Sequence, residues 1–185
     1  MFDTSLFTDS FKNALTQGNN EFLKNVDKSL LQDLATNGQN PKAIILSCSD
    51  SRVIPEYIFN AKIGDFFVIR VAGGIIDDVI MNSIEYGIKH LGISDIIMLG
   101  HTKCGAIQAA IDKKEDNILI NKIRPAIEIA IQKSSEEYDL LTSSTLESTR
   151  IMFEEINKLD IIKFKDIKVH YTLYDIDSGK ISFFE

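Results

Sequence analysis

The stretch FFVIRVAGGIIDDVIMNSIEYGIKHLGISDIIML, residues 66–99, decides the fold of this chain. It begins with the apolar run Phe66–Val71 and ends with a second run, Ile96–Leu99, the pattern of strands buried on both faces. Between them, Val79–Leu91 has helix-like apolar spacing. Strand, helix and strand within about thirty residues predict a βαβ unit with parallel strands and a right-handed crossover.

The segments on either side extend this pattern. Upstream, Ala43–Leu46 is a third short apolar run. Downstream, the spacing predicts three helices, at about Ala106–Ile111, Ile118–Gln132 and Ser144–Leu159. The chain closes with Val169–Ile176, the turn Asp177-Ser-Gly179 and the aromatic run Ile181–Phe184, which is typical of an edge hairpin. Asp77 and Asp78 are both available to cap the helix of the βαβ unit.

The N-terminal region has apolar residues at helical spacing from Ser10 to Leu34, and Gly18-Asn19-Asn20 interrupts them. This predicts two helices before the first strand. We expect one domain, residues 1–185, with an N-terminal helical arm at 1–36 and an α/β core at 42–185. The predicted class is α/β, with a mainly parallel central sheet flanked by helices and a C-terminal antiparallel edge strand or hairpin.

Composition excludes several classes of partner. The net charge of −7 disfavours nucleic acid, whose affinity depends on Lys and Arg neutralising phosphates, and it disfavours an anionic membrane surface. No secretory signal or membrane-length apolar run is visible. Two Cys in 185 residues do not form a disulfide framework, so the sequence predicts a cytoplasmic protein with reduced thiols.

Polar residues follow three of the predicted strands directly. Cys48 follows the first strand, Arg70–Gly74 ends the second and His101 follows the third. In parallel sheets the ligand crevice lies at the carboxyl ends of the strands, so we expect these residues to meet there.

The two cysteines and one histidine of these segments indicate a zinc site. Cys48, His101 and Cys104 supply three ligands, and a catalytic zinc has three protein ligands and one open position. His101 and Cys104 are three residues apart, the spacing of neighbours on a helical turn. Zinc lowers the pKa of bound water to about 7 in favourable sites, which makes hydroxide the expected nucleophile.

Asp50 and Arg52 stand beside the first ligand and, if the segment stays extended, share its face. The carboxylate is expected to accept the proton of the hydroxide as a hydrogen bond, while Arg52 orients it and keeps it ionised. Asp50 is also a candidate fourth ligand. We therefore hypothesise a gate, with Asp50 on Arg52 in an open state and on zinc in a closed one.

Taken together, the motifs resemble those of the β-class carbonic anhydrases. The matching segments are Gly18-Asn19 with Phe22, Cys48-Ser-Asp50-Ser-Arg52-Val-Ile-Pro-Glu56, Gly64 to Gly74, Gly100-His101-Thr-Lys-Cys104-Gly105, and Tyr174 to Lys180. The resemblance implies one Zn²⁺ per chain on Cys48, His101 and Cys104, an Asp50–Arg52 dyad, and reversible hydration of CO2 to bicarbonate and a proton. It also implies a homodimer or homotetramer.

Two positions depart from frequent family patterns. Val71 stands where the family often has Asn, and Ile45 stands where some members have the Trp of a bicarbonate-regulatory pocket. The chain has no Trp, so we do not expect that mode of regulation.

Other interpretations remain open from the sequence. Gly73-Gly74 is a turn leading into a helix, or else backbone that approaches the substrate. Relatives on this scaffold that hydrolyse carbon disulfide or carbonyl sulfide use the same ligands. A non-catalytic zinc or thiol-redox protein would instead have a closed four-ligand site or a Cys48–Cys104 disulfide.

Overall fold

The computed structural model describes residues 9–112 and 116–184. The first eight residues of the predicted arm, residues 113–115 and Glu185 of the predicted core lie outside the described residues. The chain divides into two compact units, with the boundary between Gln39 and Asn40.

The first unit contains two helices, α1 (Asp9–Asn25) and α2 (Lys28–Asn37). The prediction of two helices is confirmed, but the predicted break at Gly18–Asn20 is wrong, because α1 continues through it. The break lies instead at Asp27, whose carboxylate accepts hydrogen bonds from the backbone N–H groups of Ser29 and Leu30 and so caps α2. A glycine inside a helix costs only about 1 kcal/mol, which the rest of a long helix offsets.

The second unit is built on a five-stranded sheet, which confirms the predicted fold class. Its strands are β1 (Ala43–Cys48), β2 (Phe66–Val71), β3 (Asp95–His101), β4 (Lys168–Tyr174) and β5 (Ile181–Phe184). Their order is β2-β1-β3-β4-β5. Strands β1 to β4 are parallel to one another, and β5 is antiparallel to β4.

Helices connect these strands. They are α3 (Pro55–Ile58), α4 (Asp78–His90), α5 (Gly105–Ile111), α6 (Ile118–Lys133), α7 (Leu140–Asn157) and α8 (Asp160–Phe164), with a 3-10 turn at Ala72–Gly74. Of the two candidate caps for α4, the structure uses Asp77, which accepts a hydrogen bond from the N–H of Ile80.

Helix α7 begins four residues before its predicted start at Ser144. Its first turn carries Thr142, Ser143 and Ser144, which are buried although they are polar, so apolar spacing could not locate it. Asp139 caps the helix by accepting a hydrogen bond from the N–H of Thr142.

The core lies on both faces of the sheet, and all six residues of β1 are buried. Alternate β1 side chains belong to different clusters: Ile44 and Leu46 pack with α4, whereas Ala43 and Ile45 pack with Val53 and Leu99. Burying an Ile or Leu side chain contributes about 1.5–3 kcal/mol, so β1 anchors the unit and fixes where its final residue lies. Among the described residues, no helix is long and apolar enough to cross a membrane.

Candidate metal centre

Three donor side chains meet at the carboxyl edge of the sheet. Cys48 is the last residue of β1, His101 is the last residue of β3, and Cys104 immediately precedes α5. Their Sγ and ring nitrogen atoms lie within 4.8 Å of one another, and the three residues are at most 7% exposed. The sheet thus brings together the three residues that the sequence predicted as metal ligands.

His101 presents one nitrogen to this cluster in a form that suits a metal. Its Nδ1 lies 2.9 Å from the carbonyl oxygen of Thr102, which can only accept, so Nδ1 carries the proton. Nε2 is then an acceptor, and it is buried with no hydrogen-bond partner among the described residues. A buried acceptor left unpaired is costly, and a metal ion at this nitrogen would remove that cost.

The two cysteines are free thiols, and the surroundings of Cys48 favour its negatively charged form. The pKa of Cys48 is lowered to about 4, chiefly because the Cys104 thiol donates a hydrogen bond to its sulfur, which outweighs its burial. The N–H groups of Asp50 and Gly73 also donate to Cys48 Sγ, at 3.4 and 3.3 Å. The pKa of Cys104 is raised, because it keeps the proton that the pair shares and because it is buried.

The chemistry of this donor set fits zinc. Two sulfurs and one imidazole nitrogen are ligands that Zn²⁺ prefers, and three protein donors match a site that keeps a position open. A divalent cation would also favour loss of the remaining thiol proton.

The segment after Cys48 brings Asp50 and Arg52 together, but not by staying extended. Asp50 Oδ1 accepts a hydrogen bond from the backbone N–H of Arg52 at 2.9 Å, which folds the segment into a turn. The Arg52 side chain then meets the same carboxylate with two bonds, Nε to Oδ1 at 3.0 Å and Nη2 to Oδ2 at 2.7 Å. The Arg52 side chain therefore holds the pKa of Asp50 well below its usual range.

The segment between His101 and Cys104 is also not the helical turn that their spacing indicated. Lys103 has a left-handed backbone with φ of 58°, and the helix begins only at Gly105. This turn directs Cys104 back toward the end of β1.

Arg70 is a site residue whose role the sequence did not specify. Its guanidinium donates to the carbonyl oxygens of Cys48 and Asp50, at 3.2 and 2.7 Å. Arg70 pairs with Ser47 in the parallel register of β1 and β2. The sequence did contain a signal for this role, because Arg70 is a cation near the end of β2, the strand beside the one that ends in Cys48.

A small cavity of about 10 Å³ adjoins the three donors, and the predicted pocket residues Gly73 and Gly74 line it. Both glycines have positive φ, and Gly73 lies close to the Ile123 side chain, so a Cβ there would be strained and crowded. The opposite wall includes three hydroxyl residues of α7, Thr145, Ser148 and Thr149. Sequence reasoning missed these three, although positions i, i+3 and i+4 share one face of a helix.

Comparison with known proteins gives consistent matches. The family model described as carbonic anhydrase matches residues 43–181. Carbonic anhydrase 2 of Mycobacterium tuberculosis H37Rv is 40% identical over 111 residues, which cover 57% of this chain and 54% of that protein. Carbonic anhydrase 1 of Escherichia coli O157:H7 is 30% identical over 184 residues, covering 85% of this chain and 80% of the relative. The chain thus spans only about half the length of some of the relatives it matches.

Solved structures agree in fold. The β-carbonic anhydrase CcaA superposes with a TM-score of 0.85 at 24% identity, covering 95% of each chain. The β-carbonic anhydrase CafA of Aspergillus fumigatus superposes with a TM-score of 0.77 at 25% identity, covering 95% of this chain and 91% of that one.

Proposed function

Because this chain belongs to the β-class carbonic anhydrase family, we propose that it catalyses the reversible hydration of carbon dioxide to bicarbonate and a proton. The proposed cofactor is one zinc ion, held by Cys48, His101 and Cys104. The observation that carries the proposal is the convergence of these donors beside an Asp50–Arg52 ion pair. When bound, zinc supplies a Lewis acid that acidifies water, so that hydroxide is available near neutral pH.

Asp50 is proposed to orient the attacking water. Its lowered pKa keeps it ionised at neutral pH, so it acts only as an acceptor. Oδ1 already accepts two hydrogen bonds from Arg52, whereas Oδ2 accepts one. The remaining lone pair of Oδ2 can accept a hydrogen bond from the water and so fix which oxygen lone pair faces carbon dioxide.

Arg52 and Arg70 are proposed to keep that carboxylate in place. Arg52 binds it at two points, which restrains both its position and its plane. Arg70 holds the backbone on either side of Ser49 through the two carbonyl oxygens of Cys48 and Asp50. In the hypothesised gate, a bond between Asp50 and Arg52 defines the open state.

The lining of the small cavity limits the water that can reach the donors. Much of its wall is apolar and comes from Leu46, Leu99, Ile107 and the glycine pair. A volume of about 10 Å³ admits about one water molecule, and the apolar wall excludes bulk water.

Stopped-flow CO2 hydration by the zinc-quantified protein tests the proposal, from about pH 6.5 to pH 9, a range that brackets a pKa near 7. We expect turnover proportional to zinc, lost when zinc is removed. Asp50→Asn should keep zinc and lose about 100-fold or more in kcat, the scale of a lost proton-handling group. Asp166→Asn is the matched control, because Asp166 is exposed and has a left-handed backbone that Asn tolerates.

Full zinc occupancy without CO2 turnover at any pH would contradict the proposal. Assays of the same protein with carbon disulfide and carbonyl sulfide would then test the alternative, that it is a hydrolase of one of these substrates. Equal activity of Asp50→Asn and the wild type would remove Asp50 from the mechanism while leaving the zinc site intact.

A homodimer or homotetramer remains a prediction, as does the cytoplasmic location. The apolar strand β2 supports self-association, because it lies at one edge of the described sheet and its residues are only partly buried. Light scattering coupled to size exclusion measures the assembly directly.

A further inference from the structure

The Arg52 guanidinium has a third hydrogen bond that the dyad does not explain. Nη2 lies 2.7 Å from Asp50 Oδ2 and 3.1 Å from the carbonyl oxygen of Lys103. This nitrogen has two N–H donors, so one serves each acceptor. Because the guanidinium is planar, two acceptors at one nitrogen fix the orientation of the whole group. The Arg52 side chain is 49% exposed, and the bond to the Lys103 carbonyl adds a backbone anchor to its two bonds with Asp50.

The residue that supplies this carbonyl has an unusual backbone. Lys103 has a φ of 58°, in the left-handed region that residues with a Cβ avoid. Glycine or asparagine would adopt this conformation more easily, yet the chain has a lysine. Its Nζ lies 2.6 Å from both carboxylate oxygens of Asp177. A strained residue with an anchored side chain points to a positional role.

The turn that carries Asp177 is itself fixed against the metal-binding segment. Asp175 Oδ1 accepts hydrogen bonds from the N–H of Asp177 at 3.0 Å and from Thr102 Oγ1 at 3.4 Å. The Thr102 N–H donates to the Tyr174 carbonyl at 2.9 Å, and Thr102 Oγ1 accepts from the N–H of Ile176 at 3.0 Å. These hydrogen bonds therefore hold the turn that carries Asp177 next to the turn between His101 and Cys104.

We propose, on the premise of the proposed function, that Lys103 and Asp177 are positioning residues for Arg52. The Asp177 carboxylate anchors the Lys103 side chain, and the left-handed backbone of Lys103 directs its carbonyl oxygen at Arg52. Arg52 in turn holds the Asp50 carboxylate. Neither Lys103 nor Asp177 is a metal ligand, and both act only through Arg52.

This role differs measurably from a contribution to stability. Both side chains of the Lys103–Asp177 pair are more than half exposed, at 56% and 65%. Exposed ion pairs contribute little to folding. Loss of the pair should therefore shift the melting temperature by less than about 4 °C, while it changes the orientation of Arg52.

The test compares Lys103→Ala and Asp177→Asn with two reference variants. Lys103→Arg keeps the ion pair and should behave as wild type. Lys180→Ala removes another exposed lysine, close in sequence to Asp177, and is the matched control. The measurements are zinc content, kcat and KM for CO2, and the ¹⁵N NMR signal of the Arg52 Nε–H, assigned by its loss in Arg52→Lys.

We expect Lys103→Ala and Asp177→Asn to keep zinc and KM but to lose about two- to fivefold in kcat, the range that the loss of one exposed ion pair can account for. The Arg52 Nε–H signal should shift and its exchange with solvent should quicken. Lys103→Arg and Lys180→Ala should show neither change.

Two results would overturn the proposal. One is an unchanged Arg52 signal and unchanged kcat in both Lys103→Ala and Asp177→Asn. The other is loss of zinc in Lys103→Ala with wild-type behaviour of Asp177→Asn, which would place the effect on the ligands. If the wild type does not hydrate CO2, the proposed function fails, but the NMR comparison still decides whether Lys103 and Asp177 position Arg52.

Discussion

Gly100 in β3 is the position where one added methyl group should test how closely α7 packs against the strand that ends in His101. A Cβ on Gly100 would lie 2.5 Å from Thr149 Oγ1, 3.2 Å from the Thr172 carbonyl oxygen and 3.5 Å from Thr145 Cγ2. Favourable contacts between non-bonded atoms begin at about 3.5 Å, so Gly100→Ala overlaps Thr149 by about 1 Å.

The surroundings of Gly100 have little freedom to move. Thr149 is buried, and its hydroxyl donates to the Thr145 carbonyl at 2.9 Å, so its side chain cannot simply rotate away. The second neighbour is backbone. Overpacking of this kind costs about 1–3 kcal/mol, against a gain of up to about 1 kcal/mol from a stiffer unfolded chain. We expect a net loss of about 1–2 kcal/mol, and a fall in melting temperature of about 2–8 °C.

Urea unfolding followed by circular dichroism measures this loss, with zinc content and protein concentration held equal because both change apparent stability. Gly105→Ala is the control, since its Cβ would meet nothing within 4 Å and its φ is not positive. Thr149→Ala removes the obstructing hydroxyl. The double variant Gly100→Ala/Thr149→Ala should therefore recover about 1–2 kcal/mol relative to the sum of the single losses. A Gly100→Ala protein as stable as wild type, or strictly additive losses, would refute the packing argument.

Two further predictions concern helix capping and the Glu147 carboxylate, which forms ion pairs with Lys133 and Arg150. Asp77→Ala should lower the free energy of unfolding by about 1 kcal/mol, because Asp77 caps α4, whereas Asp78→Ala in the first turn should cost less; urea unfolding of both variants measures the difference. Burial alone would raise the pKa of Glu147, but hydrogen bonds from Lys133 and Arg150 outweigh it and the pKa is lowered. Since the folded pKa lies below the unfolded value of about 4.3, this carboxylate stabilises the fold above that pH and the contribution is lost as pH falls through the folded pKa. Unfolding curves between about pH 7 and pH 3 should fall less steeply for Glu147→Gln than for wild type, with a lower starting stability by about 1–2 kcal/mol; parallel curves would contradict the assignment.

Much of the fold could be predicted because it depends on residues close together in the chain. Apolar runs bounded by turn residues located β1, β2 and β3 to within a few residues, and the connecting helix α4 followed from its spacing. The N-terminal break was misplaced because the glycine and asparagine signal at Gly18–Asn20 is weaker than the cap at Asp27.

The sequence by itself determined which residue types stand at the ends of the parallel strands, and hence the convergence of Cys48 and His101, with Cys104 three residues further along the chain. Parallel strands end at one edge, so order along the chain is enough for that inference. Only the tertiary structure decided how neighbouring residues complete the site. The turn at Asp50, the left-handed Lys103 and the reach of Arg70 depend on single backbone angles and on strand register, which no local pattern encodes. The hydroxyl face of α7 had a local signal in its i, i+3 and i+4 spacing, but its place at the cavity depends on how α7 packs against β3.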